Sequence, residues 1–163
     1  SVYNSMTSRL LVDKIEGKST SSHVIMPTGM ILQQQQSVSN STGHIITTSS
    51  TPVASGISVS ITPKATGNKI IVQTFCSMTH KQSAGNGRVH LYLDGSQASG
   101  SGIYWGGYQD QQDYISTVGT YLYTTVDTNS HQFETYIYSS DGNNFYYAHQ
   151  YSSVSLIATE IQG

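Results

Sequence analysis

The sequence predicts an all-β domain of the jelly-roll sandwich type, and three observations lead to this prediction. Short segments alternate apolar and polar residues, as Ile57, Val59 and Ile61 do with serines between them, which is the period of a half-buried strand. Clusters of turn-forming residues separate these segments, and almost no segment has a helical period. About ten short strands in roughly 135 residues fit two packed sheets of four or five strands each.

Residues 56–73 contain the clearest pair of strands. Pro63 ends the first strand because it has no N–H to donate, and Gly67-Asn68 supplies a turn that tolerates positive φ. The sequence therefore predicts a hairpin whose second strand opens at Lys69. One side of that strand carries Ile70, Val72, Thr74 and Cys76, and the other carries Ile71, Gln73 and Phe75.

The other elements follow from the same alternation and the same turn residues. Asp94-Gly95 and Asp141-Gly142 are typical hairpin turns. The predicted strands, in order, are Met30–Gln35, His44–Thr48, Ile57–Thr62, Lys69–Met78, Arg88–Asp94, Gly102–Trp105, Tyr114–Val126, His131–Ser139, Asn144–His149 and Ser153–Ile161.

The composition excludes several classes of protein. Charged residues are 10% of the chain, against about 25% in an average domain, so we expect an oligomer that hides part of its weakly charged surface. A net charge of −2 with seven basic residues argues against nucleic acid as a partner. Cys76 is the single cysteine, which excludes a disulfide within one chain. No apolar run approaches the roughly 18 residues of a membrane span, and no signal-peptide pattern is present.

Residues 1–28 differ from the rest, and we expect them to form an attachment arm or stalk in front of a head domain of residues 29–163. The stretch is too short to fold alone. Its apolar residues, which we expect to make the attachment contacts, are Leu10, Leu11, Val12, Ile15, Val24 and Ile25.

Two parts of the chain resemble bacteriophage virion proteins. LLVDKIEGKSTSSHVIMPTGMILQ (residues 10–33) is similar to the junction segments of phage tail-fibre and short appendage proteins. GISVSITPKATGNKIIVQ (56–73) and SVSLIATEI (153–161) resemble the first hairpin and last strand of small structural proteins of marine and cyanobacterial phages. The resemblance implies a homotrimer with a head like those of tumour-necrosis-factor and C1q domains. It also implies a virion protein, assembled in the host cytoplasm, whose arm docks on other virion proteins and whose distal end faces the host.

Gln33 and Gln35 belong to a run of four glutamines. On a threefold axis, amides of this kind could satisfy each other across chains. An ordinary polar strand edge explains the run equally well, and the sequence leaves both interpretations open.

Two aromatic segments are candidates for contact with a host-surface glycan. Tyr104, Trp105 and Tyr108 lie among glycines, and Asn143 and Asn144 precede aromatic residues that include Tyr146. Flat rings suit the C–H faces of sugars, and amides suit sugar hydroxyls. The alternative is that these aromatic residues pack in the core or between subunits.

No motif points to catalysis, a cofactor or a metal. The six histidines form no HExxH pair, and Asp110 and Asp113 are two acids of one loop without the apolar pocket that separates the pKa values of a glycosidase pair. We therefore expect a non-enzymatic trimeric phage fibre or appendage. The alternatives are a capsid decoration protein that stabilises the phage head, a soluble lectin-like module and, least favoured, a glycan depolymerase.

Overall fold

The computed structural model describes residues 27–40, 43–82, 85–98, 104–108, 115–149 and 152–163, with the backbone alone at 104–108 and 115. These residues form eleven strands, and no helix among them is long and apolar enough to cross a membrane. The strands are β1 (Ile31–Asn40), β2 (Ile45–Thr47), β3 (Val53–Ile61), β4 (Lys69–Lys81), β5 (Gly87–Leu93), β6 (Ser96–Gln97), β7 (Tyr104–Tyr108), β8 (Ile115–Thr124), β9 (His131–Ser139), β10 (Phe145–Ala148) and β11 (Ser153–Ile161).

The strands form two antiparallel sheets, and the predicted jelly-roll-like sandwich is confirmed. The first sheet has the order β1-β11-β4-β8, and β10 and β2 continue it where β4 extends past β11. The second has the order β3-β9-β5, with β7 and β6 along the free edge of β5. The chain crosses repeatedly between the two sheets, which is the connectivity of a double-sheet jelly roll.

The predicted hairpin over residues 56–73 is wrong, although both of its strands are present. β3 pairs with β9 and β4 pairs with β11 and β8, so residues 62–68 carry the chain from one sheet to the other. The two strands face each other across the core because each buries its apolar side. The buried carboxylate of Glu160 secures this connection: Oε1 accepts hydrogen bonds from Lys64 N at 2.8 Å and Asn68 Nδ2 at 2.6 Å.

The two Asp-Gly turns have different outcomes. Asp94-Gly95 joins β5 to β6 as a hairpin, with φ of 50° and 78° at the two residues, as a type I′ turn requires. Asp141-Gly142 connects β9 to β10, which belongs to the other sheet, so its assignment as a hairpin turn is wrong.

The core lies between the sheets and is built by alternate residues of the long strands. The sequence placed Ile70, Val72, Thr74 and Cys76 on one side of β4, and the structure shows that this side is buried. Other apolar contributions to the core come from Ile57, Val59, Ile61, Val89, Leu91, Ala98, Phe133, Ile137, Phe145, Ala148, Val154, Leu156 and Ala158.

Several strand ends differ from the predicted ones because backbone pairing, not side-chain pattern, determines where a strand stops. β1 continues to Asn40 because β11 pairs with it along its length. β3 begins at Val53, where Gly and Ser break the alternation, and β7 extends to Tyr108, beyond the predicted end at Trp105. The proposed arm residues, Leu10, Leu11, Val12, Ile15, Val24 and Ile25, lie outside the described residues, so attachment through them stays a prediction.

Candidate functional site

The fold brings the two predicted aromatic segments to the same end of the sandwich. Tyr108 pairs with Gly87 of β5, and Gly87 pairs on its other edge with Ser139 of β9. Ser139 Oγ in turn donates a hydrogen bond to Asp141 Oδ1 at 2.8 Å. The backbone of Tyr108 and the loop of residues 140–144 therefore meet at the start of β5.

Tyr104, Trp105 and Tyr108 all lie on β7, an edge strand next to β5. Their backbone positions are described and their side chains lie outside the described residues. Contact of these three residues with a host therefore stays a prediction.

An ion pair between buried Lys81 and solvent-accessible Asp141 holds the loop that contains Asn143 and Asn144. The Lys81 side chain is fully buried, and its Nζ lies 2.6 Å from Asp141 Oδ1 and 3.3 Å from the Asn143 carbonyl oxygen. Asn143 Nδ2 donates to the other oxygen of the same carboxylate at 3.0 Å. Because a buried ammonium must keep its partners, these contacts hold the amides of the loop in one arrangement.

Beside this loop, four aromatic rings form what we call the ring cluster: His44, His80, Tyr146 and His149. Tyr146 lies 5.0 Å from His44 and 5.4 Å from His80, between ring centroids, and His149 lies 4.6 Å from His44. Burial, together with the charges of His44 and His80, holds the pKa of His149 below its ordinary value of 6.5. The imidazole of His149 is therefore harder to protonate than one in water.

Amide groups adjoin the ring cluster. Asn144 Nδ2 donates to Gln82 Oε1 at 2.6 Å and lies 3.3 Å from the Tyr146 hydroxyl. Asn144 and Tyr146, which the sequence paired as an amide next to an aromatic ring, are thus in contact through their side chains. Within the part of the chain that the structure describes, no group of three or more His, Cys, Asp or Glu side chains could hold a metal ion.

A second aromatic surface covers the outer side of the β3-β9-β5 sheet, and sequence reasoning missed it. We call it the tyrosine face: Tyr92 on β5, and Tyr136 and Tyr138 on β9. Each tyrosine is partly exposed and alternates with a buried neighbour. The alternation of β9, in which Phe133, Thr135 and Ile137 point inward, is visible in the sequence. The register that joins β9 to β5 is not visible there.

The outer side of the β1-β11-β4-β8 sheet has a different chemistry, and we call it the flat face. Its strand register aligns three rows: Val38-Ser155-Phe75-Val118, Gln36-Ile157-Gln73-Thr120 and Gln34-Thr159-Ile71-Leu122. None of these twelve residues is charged, and Val118, Leu122 and Phe75 are 63%, 56% and 44% exposed. Exposed apolar residues grouped in this way indicate an interaction surface.

The two glutamines assigned to a threefold axis lie on β1. Gln33 Nε2 donates to the Thr62 carbonyl oxygen and to Glu160 Oε2, both at 2.6 Å, so this amide nitrogen is engaged within the subunit. Gln35 is exposed and pairs with Ala158 of β11. Contact of either residue with another chain stays a prediction.

Comparison with known proteins adds little to these observations. No protein-family model matches the chain, and no curated protein matches it. Among solved structures, the chain is similar to a sugar-binding protein, the EclA C-terminal domain, with 10% identity and a TM-score of 0.35 over 87% of this chain and 89% of that one.

Proposed function

We propose that this chain is a non-enzymatic virion structural protein: a homotrimeric phage appendage whose residues 1–28 dock on the particle and whose β-sandwich head contacts the host surface. The resemblance of residues 10–33 and 56–73 to phage structural proteins supports the virion context. The observation that carries the proposal is the flat face, because an appendage of this kind needs a surface through which subunits associate.

The flat face suits a second copy of the same chain. Its three rows carry no charge, so two or three copies can bring these rows together without burying an unpaired ion. Lys69 lies on the next row, at the end of the face, where its ammonium can remain in solvent while Nζ donates to Thr124 Oγ1 at 3.1 Å. Association would also cover apolar side chains such as Phe75 and Leu122, and burial of such area is the main favourable term in subunit assembly.

The mass of the purified protein in solution tests this proposal. We expect light scattering at micromolar concentration to give three times the 17.7 kDa of one chain. Val118→Glu places a charge within the proposed interface, at its β8 edge, and should give a monomer. Val126→Glu is the matched control, because Val126 is 73% exposed but lies in the loop after β8. A monomeric wild-type protein, or equal effects of the two variants, would refute trimer formation through this face.

The place of the protein on a particle requires a separate experiment. An electron-microscopy map of phage that carries the protein should show threefold copies at the tail, and particles with residues 1–28 deleted should lack them. Copies spread over the head would instead support the decoration role.

A further inference from the structure

The tyrosine face occupies positions that a sandwich normally gives to small polar or charged residues. Outward positions on the solvated side of an antiparallel sheet are usually polar. Here three of them, on two paired strands, are tyrosines, and Tyr136 sits opposite His90 in the β5–β9 register. A large ring left partly exposed next to another is a feature of binding surfaces, since tyrosine presents apolar area with only two rotatable side-chain bonds.

The rings are held in place by one another. Tyr92 and Tyr136 stack with centroids 3.7 Å apart and planes 16° from parallel. Tyr138 packs against the edge of the His90 ring at 5.1 Å, and the Arg88 guanidinium carbon lies 5.9 Å from the Tyr138 centroid. Because the side chains are already ordered, a ligand loses little of their rotamer freedom on binding.

The charges on this face balance. Arg88 lies opposite Tyr138 at one end, and Glu134 lies opposite Tyr92 at the other. His90 is 5% exposed, and burial and the Arg88 charge lower its pKa, while a hydrogen bond to Gln97 raises it. The net outcome is a pKa below 6.5, so this imidazole is neutral at pH 7. The face therefore offers neither a cationic nor an anionic field to a ligand.

The tyrosine face is elongated. Arg88 and Tyr92 are four residues apart on β5, which is about 13 Å along a strand. Such a strip is longer than one sugar ring, so it suits consecutive units of a sugar chain.

We propose that the tyrosine face binds an extended, uncharged polysaccharide of pyranose sugars along its internal units. The C–H faces of the sugars lie on the partly exposed tyrosine rings, and their hydroxyls bond to the tyrosine hydroxyls, Arg88 and Glu134. Three rings offer few contacts to one sugar chain, so a single face binds weakly. This inference rests on the adhesive part of the proposed function, because three faces on one trimer raise the avidity of a weak site.

Affinity electrophoresis of the intact protein tests the proposal. Native gels are cast with one neutral polysaccharide each (mannan, β-glucan or galactan) and, for comparison, with alginate or hyaluronan. We expect retardation in at least one neutral gel, with loss of retardation in Tyr136→Ala. Tyr136→Phe, which keeps the ring, should retain most of the effect.

Two further variants keep the test independent of folding. Ala54 is exposed and lies opposite Tyr136 in the β3–β9 register, so Ala54→Arg obstructs the face without removing a ring and should also abolish retardation. Val126→Arg adds the same charge at an exposed position in the loop after β8, away from the tyrosine face, and should leave retardation unchanged. Thermal unfolding of each variant identifies any that fail to fold.

The outcomes separate this inference from the proposed function. Three results would overturn the glycan site, whatever the oligomeric state. They are unretarded migration in every neutral gel, retardation that survives Ala54→Arg, and retardation in the acidic gels alone. If the protein is a monomer and is retarded in a neutral gel through this face, the glycan site is supported. The same result would refute the trimeric appendage and favour the lectin-like module.

Discussion

The ion pair of buried Lys81 with Asp141 permits a quantitative prediction about the loop at the end of the sandwich. Asp141→Ala removes the carboxylate to which the fully buried Lys81 ammonium donates at 2.6 Å, and it also removes one of two acceptors of Ser139 Oγ. Breaking a buried pair by deleting one partner costs about 3–5 kcal/mol. In a domain of this size about 2–4 °C of melting temperature is lost per kcal/mol, so we expect a decrease of roughly 6–20 °C.

The double variant provides the decisive control. Lys81→Met combined with Asp141→Ala removes the buried charge as well as its partner, so it should be more stable than Asp141→Ala alone. Chemical denaturation followed by circular dichroism measures the free energies of unfolding of the wild type, of Asp141→Ala and Lys81→Met, and of the double variant. A change within about 0.5 kcal/mol for Asp141→Ala, or strictly additive effects in the double variant, would refute the argument that the pair anchors the loop.

Three further predictions follow from individual contacts. Burial raises the pKa of the Cys76 thiol to about 11, so a thiol reagent at pH 8 should label the protein only after unfolding, and rapid labelling of the native protein would contradict the buried position. The pKa of His149 is lowered in the folded state, so below pH 6.5 the unfolded chain binds more protons than the folded chain. The free energy of unfolding should therefore fall as the pH decreases below that value. His149→Gln should reduce the slope of the free energy of unfolding against pH. Gly87→Ala would place a Cβ 1.9 Å from Phe145 Cδ2, so it should destabilise the fold by at least about 1–3 kcal/mol, whereas Gly95→Ala meets no neighbouring atom and tests the turn alone.

Local sequence patterns predict some features of the candidate sites and not others. The amide and aromatic character of residues 143–146 was predictable, and Asn144 and Tyr146 are in contact. The ring cluster was not, because His44, His80 and His149 come from separate segments that meet only when β10 pairs with both β2 and β4. The buried state of Lys81 was equally hidden, since a lysine at the end of a strand is usually solvated.

The sequence by itself determined the class of the fold, most of the strands and the two-sided character of the clearest ones, because alternation of apolar and polar residues is a local property of the chain. Residues 56–73 show its limit: both strands were identified correctly and their pairing was wrong. Which strands pair depends on contacts between distant residues, such as Glu160 with Lys64 and Asn68. Only the tertiary structure therefore decided that β3 and β4 face each other across the core, and that the outer sides of the two sheets present an uncharged face and a tyrosine face.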